Sequence, residues 1–159
     1  MTAFPNMNQF AEFLQQFNEE SSRGVVLTSA AYLDTILENT LLAFLIEDHA
    51  SEMLVSEGNA PLQTFGGRIR ACYALGLIRE VDYQVLDIVR RIRNEFAHNW
   101  RRASFNNQQV RDLINNLPSI GHDELDNDPD ARYKMNIAQM MLSLERNVDR
   151  IRANRRQRA

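Results

Sequence analysis

The chain has 159 residues, 44% hydrophobic and 25% charged, with six glycines and four prolines. That is one domain's length, enough to bury a core without a disulfide or metal staple, and the composition excludes dominant disorder and a loop-rich sandwich. Net charge is only −3, yet residues 1–62 carry nine acids against one base, residues 63–117 nine arginines against five acids, and residues 118–159 eight bases against seven acids.

In chain order, the start Met-Thr-Ala-Phe-Pro-Asn lacks the basic stretch and apolar run of a signal peptide. Phe10, Phe13, Leu14 and Phe17 then fall at helical spacing and predict a short amphipathic helix from Asn8 to Phe17. A long helix follows from Ser21 or Ser22 to near Asp48. Val26, Ala30, Leu33, Leu37, Leu41, Phe44 and Leu45 form its stripe, and Val25, Leu27, Ala31, Ile36, Leu42 and Ile46 widen it. Such breadth means a helix buried on several sides, or one that also meets a second subunit. The surplus apolar surface leads to the expectation of a two-fold homodimer. The apolar run Leu41 to Ile46 is too short to span a membrane.

Gly58-Asn59-Ala60-Pro61 breaks the pattern. Leu62, Phe65, Ile69, Tyr73 and Leu75 predict a helix that stops near Gly76. Its Cys72 is the chain's one cysteine and reads as a small buried hydrophobe. A second long helix runs from about Glu80 to Arg102, and a shorter one from Ser104 or Asn106 to before Pro118. Residues 118–129 read as an acidic loop. It lacks the glycine and closing glutamate of a calcium loop. Asp128-Pro129-Asp130 combines an N-cap, a first-position proline and a first-turn acid, and opens a final helix to about residue 153. The tail, residues 153–159, is arginine-rich and expected to be flexible. No stretch alternates with period two. The fold class is therefore all-α, one domain over residues 1–159, a bundle of five to seven helices.

The second long helix carries the chemistry. Val85, Ile88, Val89, Ile92, Phe96 and Trp100 share its core face, and Asp87, Arg90, Arg91, Asn94, His98 and Arg101 the opposite one. Arg93 and the small Ala97 stand on the border. A histidine, a guanidinium and an amide in reach of one phosphate suffice to cleave RNA through its own 2′-hydroxyl, without a metal. The plain alternative is a solvated face whose cations complement the helix C-terminus. All bases but Lys134 are arginines, which suits Arg90, Arg93, Asn94, His98 and Arg101 to a partner bearing phosphate or carboxylate. Glu19 to Arg23 either caps the first long helix or adds Glu20 and Arg23 to that cleft. His49, His98 and His122 share no metal-ligand spacing with one another or with Cys72, so neither metal nor cofactor is expected.

Arg93-Asn94-Glu95-Phe96-Ala97-His98 resembles the R-x4-6-H motif of the HEPN superfamily of helical proteins. Phe17 to Gly24, Ala30 to Asp34, Pro61 to Phe65 and Tyr73 to Ile78 resemble, in order and spacing, the mannitol-operon repressor (MtlR-like) family. The resemblance runs from about residue 17 to 102. It implies a HEPN-like all-α bundle and a cytoplasmic transcriptional regulator. No short helix pair offers a basic second helix to a DNA groove, so such a regulator is expected to act through a protein partner. The HEPN motif implies the alternative, a metal-independent endoribonuclease or toxin using Arg93, Asn94 and His98, with RNA as substrate and an antitoxin as partner. The regulator ranks first, because its matches extend beyond the short motif.

Overall fold

A computed structural model describes residues 7–99, 101 and 103–155. Those residues form eight helices and no strand: α1 Met7–Glu19, α2 Ser22–Phe44, α3 His49–Val55, α4 Phe65–Ala74, α5 Glu80–His98, α6 Gln108–Asn115, α7 Asp123–Asp126 and α8 Pro129–Ala153. The fold is all-α, as expected. The count exceeds seven because α3 and α7, of seven and four residues, are too short to display a hydrophobic period.

Local signals set most boundaries. Ser21 Oγ accepts from the Gly24 N–H at 3.1 Å and starts α2. Gly76 (φ +70°) ends α4, where the Leu77 N–H reaches back to the Cys72 carbonyl at 2.8 Å. Asp128 accepts from the Asp130 N–H at 3.0 Å, with Pro129 at the first position of α8. Two ends fall short of expectation. Leu45 turns extended and closes α2 at Phe44, which frees Asp48 to cap α3 through the Ala50 N–H. Asn99 leaves helical geometry and closes α5 at His98 rather than Arg102. Trp100, Arg102 and the tail arginines Arg156 and Arg158 lie outside the described residues.

The centre of the fold is α2, packed against α1, α3, α4, α5 and α8. Leu33, Leu37 and Leu41 have no exposed surface, each worth roughly 1.5–3 kcal/mol of burial. The stripe up to Leu41 is thus buried within one chain, while Leu27, Leu42 and Ile46, which widen it, stay half-buried and Ala31 exposed. Helix α8 runs alongside α2 in the same direction. Near their starts the hydroxyls of Ser29 and Tyr133, both buried, lie 2.9 Å apart. Near their ends Arg155 donates to the carbonyls of Leu42 and Ala43 at 3.1 and 3.2 Å. Burial holds the Tyr133 hydroxyl far above its ordinary pKa, so it remains a neutral hydrogen-bonding group.

Arg68 fixes α4 onto this frame. It is 6% exposed and pairs with Asp34 at 3.0 Å and Glu38 at 3.1 Å, both on α2. It also donates to the carbonyls of Leu62 and Val55 at 2.9 and 3.0 Å. One buried guanidinium therefore ties α2, the end of α3 and the start of α4 together. That junction places α4 beside α5.

Candidate functional site

The apolar face of α5 is as expected: Val85, Ile88, Val89, Ile92 and Phe96 are buried. Its opposite face meets the start of α4 and one side of α2 in a groove of about 710 Å³. From α5 come Arg90, Arg93 and Asn94; from α2, Ala31 and Asp34; from α4 and its cap, Thr64, Gly66 and Arg70.

The cations differ in their partners. Arg90 is held by Asp87, one turn back, at 2.7 Å. Arg93 donates to Asn94 Oδ1 at 3.2 Å and lies near enough to Asp34 to favour its charged form. Arg70, exposed, has no hydrogen bond or ion pair among the described residues. Gly66 has no side chain to fill the wall. A Cβ there would stand 3.1 Å from Arg90 Cδ and 3.8 Å from both Arg70 Nη1 and Arg90 Nε. The Arg90 side chain thus packs against the Gly66 backbone, with the Arg70 guanidinium close by. Asp34 faces them with Oδ1 buried and without a hydrogen-bond partner. Burial lifts its carboxyl above the ordinary range, and the Arg68 charge opposes that only in part.

The groove brings Arg90, Arg93 and Asn94 together and leaves the other expected site residues outside its wall. His98 is exposed in the last turn of α5, beyond Asn94, with an exposed Ala97 before it. Arg101 is exposed past the helix end. Arg23 donates from Nη1 to the Phe96 carbonyl at 3.0 Å, which puts the start of α2 against that same last turn. The Glu20 carboxylate folds over Gly24 into the space a Cβ would take, a favourable place for a negative charge at a helix N-terminus. Sequence reading missed Arg70 and Asp34, and Gly66-Gly67 lacks the GxxxxGK(S/T) context of a phosphate loop. Asp34 and Glu38, the two acids of α2 and four residues apart, were the available signal of a buried cation opposite.

Two other polar clusters lie on the surface. A cleft of about 610 Å³ between α8 and the turn before α5 includes Arg79, Asp82, Asn147 and Arg150. These are joined to one another or to backbone: Arg79 to Asp82 at 2.8 Å, Arg150 to Asn147 at 2.6 Å, and Asn147 to the Leu77 carbonyl at 2.6 Å. His49 Nδ1 lies 3.7 Å from Glu52 and 3.5 Å from Glu57. These three offer one ligand atom each to a metal, but all are exposed. Among the described residues no helix is long and apolar enough to cross a membrane.

The family model described as "Mannitol repressor" matches residues 7–155. Among solved structures, a chain of the X-ray structure of the MtlR–HPr complex from Escherichia coli is similar at a TM-score of 0.59 and 20% identity, covering 90% of this chain and 98% of that one. No curated protein matches the chain.

Proposed function

The chain belongs to the mannitol repressor family, and from that premise we propose that it is a cytoplasmic transcriptional regulator that works by docking a protein partner. The observation that carries this reading is the similarity, over 90% of the chain, to a fold solved in complex with another protein, HPr. The surface assigned to the partner is the outward side of α5 with its end: Arg90, Arg93, Asn94, His98 and Arg101, with Arg23 and Glu20 beside it. Exposed arginine at such a face gives strong, planar, charge-assisted contacts to acidic or carbonyl-rich surfaces.

The same geometry argues against operator reading. Helix-turn-helix recognition needs a short helix free to enter the major groove with several polar side chains at its N-terminal end. Among the described residues the shorter helices expose one arginine at most, Arg70 on α4 and Arg111 on α6. Titration calorimetry with HPr from the same organism, alongside gel shifts on the mannitol-operon promoter, tests the proposal. Saturable binding to the protein and none to the DNA supports it; the reverse refutes it.

A further inference from the structure

We propose that the corner where α4 turns into α5 is a two-fold contact with a second copy of this chain. This goes beyond the docking of another protein at the far end of α5 and does not depend on it. Tyr73, Leu75 and Val81, three large apolar side chains of that corner, are 41%, 47% and 42% exposed. The ring of Tyr73 stacks on that of Tyr83 across the two helices, with centroids 4.5 Å apart. Tyrosine is enriched at the buried centre of protein interfaces. A pair already held by its own stacking loses little side-chain freedom when a partner covers it.

The charges beside the tyrosines identify the occupant. Helices α4 and α5 run antiparallel, since Tyr73 meets Tyr83 and Gly66 meets Arg90. Arg70 stands one turn before Tyr73 on α4, and Glu80 one turn before Tyr83 on α5, so the cation and the anion lie on opposite sides of the stack. Both are exposed, and neither has a hydrogen bond or ion pair among the described residues. Asp87, one turn past Tyr83 on the Arg70 side, is taken by Arg90 at 2.7 Å and does not cancel Arg70. The order is therefore anion, tyrosines, cation. Turned by a two-fold axis through the stack, that order meets its own complement, with each Arg70 against Glu80 of the partner subunit. A partner of a single charge would match only one side. Helix α5 is 19 residues long, about 28 Å, so the contact stays clear of His98 and Arg101 at and beyond its other end.

The test is sedimentation velocity of the full chain, without any other protein, from micromolar to millimolar concentration. Expected is a dimer that dissociates on dilution. Arg70→Glu and Glu80→Arg each weaken self-association at least tenfold, with unchanged helical circular dichroism, because each sets like charges against one another across the axis. An equimolar mixture of the two single variants forms a one-to-one dimer, since each supplies the charge that the other lacks. The double variant Arg70→Glu, Glu80→Arg recovers the wild-type affinity. A wild type that stays monomeric over this range overturns the proposal. So do single variants that dimerise as well as the wild type, or a mixture no more associated than its components.

Discussion

Arg23, in the first turn of α2, donates from Nη1 to the carbonyl of Phe96 in the last turn of α5, 3.0 Å away and 73 residues along the chain. The bond satisfies one of the carbonyls that a helix end leaves open and sets a positive charge where the helix dipole is negative. It holds the end of α5, and with it His98, in place. Because Arg23 is exposed, Arg23→Ala is expected to cost only about 1 kcal/mol in urea unfolding. No loss of stability contradicts the role.

Arg68 is a larger matter. Arg68→Ala leaves Asp34 and Glu38 unpaired and two carbonyls without a donor. The expected loss is about 3 kcal/mol, seen as a lower urea midpoint at unchanged slope. Arg68→Lys keeps the charge but loses the fork, and is expected to fall between. A loss under about 1 kcal/mol for the alanine variant, typical of a surface pair, contradicts the account.

These two arginines show what sequence could and could not disclose. Ser21, Gly76 and Asp128-Pro129 are local signals, and the helix ends they set were legible residue by residue. Helix α3 was not, although Asp48 stood as its cap, because a seven-residue segment shows no period. The polar face of α5 was legible from spacing. The groove was not, because Arg70, Asp34 and Gly66 meet Arg90 only after Arg68, a charge hidden in the core, seats α4 on α2.

Cys72 sits in α4 with no exposed surface, and burial pushes its thiol up to about 12. A thiol reagent acting on the thiolate is expected to leave the native protein unmodified near neutral pH and to react fully in urea. Rapid modification of the folded chain contradicts this burial.

Asp34 gives the pH dependence. Its folded carboxyl titrates above the ordinary 3.8, so ionising it opposes folding as pH rises from that value through the raised one. The stability of the wild type minus that of Asp34→Asn is expected to fall as pH rises above the ordinary carboxylate value of 3.8. A difference that rises with pH means that the Arg68 attraction outweighs burial.

Arg93 lines the groove and bonds Asn94, while His98 stands outside its wall. RNA cleavage of the type its motif implies requires both groups at one phosphate. RNA incubated with the protein in chelator is expected to stay intact. Fragments with 2′,3′-cyclic phosphate ends, lost in His98→Ala, contradict that expectation.

The central claim, that the outward face of α5 docks a protein partner, is tested most directly by one calorimetric titration. HPr from the same organism is titrated into the wild type and into the triple variant Arg93→Ala, His98→Ala, Arg101→Ala, whose exposed positions should leave its unfolding midpoint nearly unchanged. The account expects saturable binding to the wild type and at least a tenfold loss in the variant. Equal affinity for both proteins, or no binding to the wild type, contradicts it.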